Sequence, residues 1–425
     1  MIHPADLTAT EAAVRIRQSK LRPVELAEAC LDRMRIHDPH LKAFVHVDRD
    51  LVIGTAEVLE KSGPRGPLWG LPLAVKDVLD TSDMPSAYGS PIWANFTPRA
   101  DAASVALARS AGAIILGKTA TTEFATRRPA ETVNPINDLH TPGGSSSGSA
   151  AAVAAALCPF AFGTQTAGSI IRPAAFCGII GYKPTFGFIH RAGMKVMSET
   201  LDTIGVLARS VADCALLVGA VAKRDLGDPE ERPGVAPRLA LVTGPSPDAA
   251  PETLARLFEV AEILRRRGAT VTEVELPEDL HAAFGVHGTV MNIEIAQALS
   301  WELARHPEQL SENILEPIRR AQALPPKVLD DGRTAFERAR QSFTALMADF
   351  DAVITPSSIG EAPLGLKNTG DPVFNILWSA LHVPCANIPV GSGPNGLPLG
   401  IQVVADRYDD KALLAWTRWI QAQLA

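Results

Sequence analysis

The chain of 425 residues has little of the chemistry that marks metal sites, disulfide scaffolds or nucleic-acid binders. Its five cysteines are dispersed without a Cys-x-x-Cys pair, a pattern typical of buried free thiols. None of its ten histidines forms a cluster with metal-ligand spacing, so we expect no metal. Lysine and arginine number 40 against 47 aspartates and glutamates, and this acidic balance argues against phosphate binding. We therefore expect no nucleic-acid partner.

Long hydrophobic runs are also missing. The longest apolar stretch, residues 150–162, is interrupted by Pro159 and falls short of the roughly 20 residues that span a bilayer. Residues 1–20 carry charges throughout and lack the apolar segment of a secretory signal. These features predict a cytoplasmic protein without a membrane partner.

What is present is an ordinary globular composition, with 46% hydrophobic and 20% charged residues. Short apolar runs predict buried strands at 71–75, 113–116, 239–242, 352–354, 386–390 and 400–404. Helical spacing of apolar residues predicts two short helices within 7–36, divided by Pro23, and further helices at 252–268, 333–349 and 410–424. Strands that alternate with helices predict an α/β fold with a mostly parallel or mixed sheet.

One segment, Thr141-Pro-Gly-Gly-Ser-Ser-Ser-Gly-Ser149, is rich in glycine and serine. A flexible linker is one interpretation, but the segment leads directly into the helix-forming run 150–157, which is a poor place for a hinge. A phosphate-binding loop is a second, although neither a GxxxxGK[ST] lysine nor GxGxxG spacing is present. The third is a catalytic loop that gathers hydroxyl and backbone N–H groups in one place.

A second segment, Gly163-Thr-Gln-Thr-Ala-Gly-Ser169, favours the catalytic interpretation. Small residues from Thr166 to Ser169 offer consecutive backbone N–H donors, and such a nest can bind an oxyanion. Losing one oxyanion donor typically raises a reaction barrier by about 3 kcal/mol.

Further motifs surround these segments: Gly70-Leu-Pro-Leu-Ala-Val-Lys-Asp77, Gly117-Lys-Thr-Ala-Thr-Thr-Glu-Phe124, Asn134-Pro135 and Leu201-Asp-Thr-Ile-Gly205. In this order and at these separations they resemble the amidase signature family, densely over residues 71–212. The resemblance implies one amidase signature domain over 1–425, with N-terminal helices in 1–60 and catalytic motifs in 70–212. It implies an α/β fold with a central twisted mixed β-sheet flanked by helices on both faces.

The resemblance also assigns the catalytic roles. The family's nucleophile matches Ser169, its proton-relaying serine in a cis peptide matches Ser145, and its basic lysine matches Lys76. The Gly144–Ser145 bond is therefore expected to be cis. The oxyanion donors match the backbone N–H groups of Thr166, Ala167, Gly168 and Ser169. No cofactor is required.

A lysine acts as a base only when it is neutral, and its ordinary pKa near 10.4 leaves about one in 10³ neutral at pH 7. Burial lowers a lysine pKa by up to roughly 3–5 units. Because Lys76 follows the apolar run 71–75, we expect it at the end of a buried strand. Thr164 is expected to support it by hydrogen bonding, and Ser146, the residue most easily mistaken for Ser145, is assigned to substrate binding.

Two positions depart from the family pattern Gly-Thr-Asp-x-Gly-Gly-Ser, since this chain has Gln165 and Ala167. Three positions after the nucleophile, Arg172 resembles the arginine that meets a substrate carboxylate in malonamidase-like members. Arginine pairs carboxylates with two parallel N–H bonds. A structural arginine paired with a buried carbonyl or aspartate is the alternative.

The resemblance implies an amidase that hydrolyses a small, carboxylate-bearing or short acyl carboxamide to carboxylate and ammonia. One alternative is the glutaminase subunit of a tRNA-dependent amidotransferase, which is usually longer and commonly has Asp-Glu-Phe where this chain has Thr122-Glu-Phe124. Another is a catalytically silent binding protein on the same scaffold. The expected partner is a small-molecule amide, and a homodimer is left open.

Overall fold

The computed structural model describes residues 2–228, 231, 233–245 and 249–424. Within them, eleven strands form one sheet in the order β1-β3-β2-β4-β6-β5-β10-β11-β9-β7-β8. The strands are β1 (Phe44–His46), β2 (Pro72–Lys76), β3 (Ile114–Thr119), β4 (Phe160–Gln165), β5 (Ile180–Lys183), β6 (Thr203–Ala208), β7 (Arg238–Leu241), β8 (Thr270–Glu273), β9 (Ala352–Pro356), β10 (Cys385–Ser392) and β11 (Pro398–Val404).

Helices flank this sheet. They are α1 (Ala9–Arg17), α2 (Pro23–Leu41), α3 (Arg49–Ser62), α4 (Ala103–Ser110), α5 (Ser147–Ala154), α6 (Ile171–Phe176), α7 (Val211–Ala222), α8 (Pro251–Arg266), α9 (Glu278–Ala298), α10 (Ser300–Arg305), α11 (Glu312–Gln322), α12 (Lys327–Met347), α13 (Ile376–Ala380) and α14 (Asp410–Leu424). No helix in the described ranges has both the length and the apolar character needed to cross a bilayer.

The central strands are buried on both faces, which is why they read as continuous apolar runs rather than as an alternating pattern. β2 pairs in parallel with β3 and β4, whereas β4 and β6 are antiparallel. The predicted α/β class with a mixed sheet is therefore confirmed.

The apolar stretch 150–162 proves to contain two elements. Its first part belongs to α5 and its end to β4, and the chain turns between them at Ala156, which has a positive φ of 53°. β4, β5 and β6 lie beyond the strands predicted from apolar runs, because glycine and polar residues such as Thr164 and Gln165 interrupt their pattern. Burial against neighbouring strands, rather than local propensity, holds them in the sheet.

The sheet brings the two Gly/Ser-rich segments together. β2 ends at Lys76, the parallel strand β4 ends just before Thr166, and the turn before α5 carries Ser145. The carboxyl ends of parallel strands meet at one edge of a sheet, the usual place for a binding crevice in α/β proteins.

The start of α5 is packed against backbone, which leaves no room for a side chain at Gly148. A Cβ there would overlap the carbonyl oxygen of Ala43 and the backbone nitrogen of Ala120. We expect Gly148→Ala to lower the free energy of unfolding by about 1–3 kcal/mol, measured by urea denaturation. Gly285→Ala, where an added Cβ meets nothing within 4 Å, is the matched control and should match or slightly exceed the parent. Equal stability of the two variants would contradict this packing.

Candidate active site

The amine of Lys76 lies in the interior and is surrounded by oxygen acceptors. The side chain is fully buried, and its Nζ lies 2.7 Å from Ser145 Oγ and 2.8 Å from Thr164 Oγ1. A longer contact of 3.4 Å reaches the Thr164 carbonyl. Lys76 thus stands at the end of a buried strand, and Thr164 is hydrogen-bonded to it.

Burial lowers the pKa of Lys76 from 10.5 to about 7, because the surroundings disfavour the charged ammonium. The charge of Asp202 acts in the opposite direction and raises the pKa. A substantial fraction of Lys76 is therefore neutral near pH 7, with a lone pair available to accept the proton of the Ser145 hydroxyl.

The turn that carries Ser145 is held by its neighbours. The Gly144–Ser145 peptide bond is cis, as expected. Ser147 Oγ donates to the Gly143 carbonyl at 2.7 Å, and Ser146 Oγ makes contacts of 3.3 Å with both the backbone N–H and the carbonyl of Thr164. Thus Ser145, and not Ser146, presents its hydroxyl to Lys76. Ser146 is fully buried and pairs with backbone, so the structure does not bring it to the substrate side.

Ser169 lies in the loop between β4 and α6 and lines a cleft of about 720 Å³, a volume suited to a small organic molecule. Thr166 and Ala167 line the same cleft. One part of its wall is apolar, formed by Met197, Met291, Ile295 and Ile376, and another is polar, formed by Arg127, Arg172, Asn368, Thr369 and Asp371. A larger groove of about 890 Å³ lies between α2, β1 and residues 120–131, but it contains neither Ser145 nor Ser169.

Gln165 has a structural explanation. Its Oε1 accepts from the N–H groups of Ile170 and Ile171, at 2.9 and 3.1 Å, and so satisfies donors at the start of α6. Its Nε2 donates to Ser379 Oγ at 3.1 Å. The longer amide therefore links the nucleophile loop to α13, which the family's aspartate at this position could not do by donating.

Arg172 combines the two roles considered for it. Its Nη2 donates to the Gly144 carbonyl at 2.7 Å and to Thr369 Oγ1 at 3.2 Å. Its Nε and Nη1 are buried without a partner among the described residues. Burial lowers the pKa of Arg172 to about 10, and the charge of Asp371 opposes this. The guanidinium thus supports the turn before Ser145 and keeps two donors at the wall of the cleft.

Residues 25–414 match the family described as Amidase. This chain belongs to that family. The A-type subunit of glutamyl-tRNA(Gln) amidotransferase from Oleidesulfovibrio alaskensis is 32% identical over 96% of this chain and 95% of its own length. The same protein of Symbiobacterium thermophilum is 34% identical over 93% of both chains. The solved peptide amidase of Stenotrophomonas maltophilia is 27% identical, with a TM-score of 0.84 over 99% of this chain and 97% of that one.

These relatives correct one expectation from the sequence. The prediction of no nucleic-acid partner is wrong, because the amidase-family relatives are named as subunits of an enzyme whose name includes glutamyl-tRNA(Gln). An acidic net charge describes one chain and is silent about what other subunits of an assembly hold. The comparisons establish the amidase family but do not single out its malonamidase-like members.

Several residues of this amidase site carry no recognisable sequence signal. His287 and Met291 line the cleft one turn apart on α9, in the stretch 270–335 whose sequence pattern is hard to interpret. Ser379 contacts the nucleophile loop from α13. Asp202 accepts from Thr166 Oγ1 at 2.5 Å, and only its place in the Leu201–Gly205 motif could have indicated it.

The burial of Lys76 predicts a pH-dependent stability. Between pH 7 and about 10 the unfolded chain binds a proton at this lysine that the folded chain has lost, so the free energy of unfolding rises with pH in that window. Lys76→Met removes this contribution. We expect the stability of the parent relative to Lys76→Met to increase by about 2 kcal/mol from pH 7 to pH 9, measured by urea denaturation. Lys61→Met, at an exposed position on α3, is the matched control; identical pH slopes for the parent and Lys76→Met would contradict a lowered pKa.

Proposed function

We propose that this amidase hydrolyses a primary carboxamide to a carboxylate and ammonia, with Ser169 as nucleophile, Ser145 as proton relay and Lys76 as base. The observation that carries the proposal is the buried 2.7 Å hydrogen bond between Lys76 Nζ and Ser145 Oγ. It joins an amine whose pKa is lowered to about 7 to a hydroxyl at the same sheet edge as Ser169. A base of this pKa is suited to catalysis near neutral pH.

The reaction begins when neutral Lys76 accepts the Ser145 proton and Ser145 accepts the Ser169 proton. Ser169 Oγ then forms a bond to the amide carbon, and the carbonyl π electrons move to oxygen. Backbone N–H groups of the loop 166–169 stabilise this oxyanion. When the tetrahedral intermediate collapses, the C–N bond breaks and the relay returns a proton to the departing nitrogen.

Water completes the cycle. It attacks the acyl ester on Ser169 while the relay accepts a proton from it, and the C–Oγ bond then breaks to release the carboxylate. The same three residues serve both halves of the reaction, because each half needs one proton removed from a nucleophile and one returned to a leaving group.

Substitution of the three residues tests the mechanism. We expect Lys76→Ala, Ser145→Ala and Ser169→Ala each to lower ammonia release by at least about 10³-fold, since residues that act as one unit lose activity together. Ammonia is measured on a panel of malonamate, glutamine, and short aliphatic and aryl amides. Lys61→Ala and Ser62→Ala, which change exposed residues at the end of α3, are the controls and should leave turnover unchanged.

A parent-like rate in any of the three variants, with folding confirmed by circular dichroism, would reject that residue's role. A parent protein in which a fluorophosphonate fails to label Ser169 would favour a binding protein without catalysis.

The substrate class follows from Arg172. Its unpartnered Nε and Nη1 at the cleft wall are suited to pair with a carboxylate through two N–H bonds. A carboxylate placed there would satisfy two buried donors at once, whereas a neutral group would leave at least one unpaired. We therefore propose a carboxamide that also carries a carboxylate, as in malonamidase-like members.

Glutamine is a member of the same chemical class, and the curated relatives favour it. As the glutaminase component of an amidotransferase, this chain would release ammonia from glutamine for use by other subunits. Asp371, which lines the cleft and whose charge acts on Arg172, would then face the glutamine ammonium. The alignment to one relative spans 465 positions, more than the 425 residues here, so that relative carries segments this chain lacks.

Arg172→Gln separates these substrates by charge. We expect it to raise KM at least about tenfold for malonamate and glutamine, because a buried charge-assisted pair typically contributes more than about 1.4 kcal/mol, and to change KM for neutral amides much less. Equal effects on charged and neutral amides would contradict carboxylate binding. Comparing glutamine with malonamate in the parent, together with co-purification of other subunits, distinguishes the amidotransferase component from a free-standing amidase.

A further inference from the structure

The loop that carries the nucleophile exposes three consecutive N–H groups. Those of Ala167, Gly168 and Ser169 donate to no acceptor within the part of the chain that the structure describes. The N–H groups that follow, at the start of α6, differ, because Ile170 and Ile171 donate to Gln165. The unused donors therefore belong to the loop beside the cleft and not to the helix end.

Each peptide unit that supplies one of these donors has its carbonyl held by a different element. His287 Nε2, on α9, lies 3.1 Å from the Thr166 carbonyl. Ser379 Oγ, on α13, donates to the Ala167 carbonyl at 2.8 Å. The N–H of Arg172, in the first turn of α6, donates to the Gly168 carbonyl at 3.0 Å.

The geometry of the peptide bond links the two sets of contacts. In a planar trans peptide the C=O and the N–H of the next residue point in opposite directions. Fixing the Thr166 carbonyl therefore fixes the Ala167 N–H, and fixing the Ala167 carbonyl fixes the Gly168 N–H. A carbonyl is only an acceptor, so His287 carries its proton on Nε2 in this contact.

We propose that His287 and Ser379 are positioning residues that orient the Ala167 and Gly168 N–H groups toward the substrate oxyanion. The inference rests on the proposed function, since it concerns the same loop and the same intermediate. It explains why two side chains with about 1% exposure, far apart in sequence, both donate to this one loop. It also explains the need for Gly168, where a Cβ would overlap Asn375 Oδ1.

The supporting elements are themselves fixed. Further along α9, Glu294 is buried and accepts from the Thr200 N–H at 3.0 Å and from Arg333 Nη2 at 2.6 Å. Ser379 also accepts from Gln165 Nε2, so the hydroxyl on α13 contacts the loop at two points. Rigid support of this kind is what keeps oxyanion donors in place without reorganisation during the reaction.

A role for His287 as the base is a distinct hypothesis with a distinct outcome. Burial lowers its pKa to about 4, so it stays neutral above that pH. Protonation would add a proton on Nδ1 and leave the Nε2 contact in place. The positioning role therefore predicts that replacing His287 by another N–H donor leaves the pH profile near neutrality unchanged.

The experiment uses a fluorophosphonate, whose reaction requires no knowledge of the natural substrate. Ser169 Oγ forms a bond to phosphorus, fluoride leaves with the P–F electrons, and the serine proton passes to Ser145 and Lys76. The phosphoryl oxygen gains charge in the same oxyanion site. The maximal labelling rate and the half-saturating probe concentration are measured by intact mass for the parent, His287→Leu, His287→Gln and Ser379→Ala.

We expect His287→Leu and Ser379→Ala to lower the maximal labelling rate roughly 10- to 100-fold, with little change in half-saturation. His287→Gln places an amide N–H near the position of Nε2 and should stay within about threefold of the parent, with the same pH profile. Gly285→Ala, on an open part of α9, is the matched control. Circular dichroism and thermal unfolding check that each variant is folded.

Parent-like labelling of folded His287→Leu and Ser379→Ala overturns the inference while the proposed function stands. So does a His287→Gln rate as low as that of His287→Leu, because the donor would then not be the property that matters. A parent protein that is not labelled at Ser169 overturns the proposed function and this inference together.

Discussion

The site depends on an amine that is buried without a counter-ion. Lys76 and Lys118 occupy adjacent buried strands, β2 and β3, in the same sheet region. Lys118 Nζ lies 3.0 Å from Asp77 Oδ1, so its charge is paired. Lys76 has only hydroxyl and carbonyl oxygens of the described residues within hydrogen-bond distance, which leaves its ammonium less stabilised than it would be in water. The difference in partners, not in burial, separates a structural lysine from one suited to be a base.

The surroundings of Lys76 maintain this condition through backbone contacts. Ser146 and Ser147 direct their hydroxyls to the carbonyls of Thr164 and Gly143, so Ser145 is the serine of this turn that remains for the amine. Asp202 supplies an opposing charge, yet its carboxylate accepts from Thr166 and from the N–H groups of Met197 and Ser198. Asp202 therefore organises the loops around the cleft while it adjusts the pKa of Lys76 from a distance.

The wall of the cleft separates general chemistry from selectivity. The lysine and the two serines lie on the sheet and its adjoining turns, where strand pairing fixes their positions. The residues that a substrate would meet beyond the nucleophile come from α9, from the loop 368–372 and from the start of α6. This division is consistent with a family whose members act on different amides with one catalytic arrangement, because helices and loops can change without disturbing the strands.

The amino-acid sequence alone determined the α/β class, the two Gly/Ser-rich segments and the choice of Lys76, Ser145 and Ser169 as candidates, because these depend on local patterns and on ordered motifs. It could not place His287 or Ser379, whose contacts to the loop span 121 and 212 positions along the chain. Nor could it decide between the two roles of Arg172, whose bonded and unbonded nitrogens are distinguished only by what packs around them. Chain folding alone decided these contacts, since hydrogen bonds between distant segments leave no periodic trace in either segment.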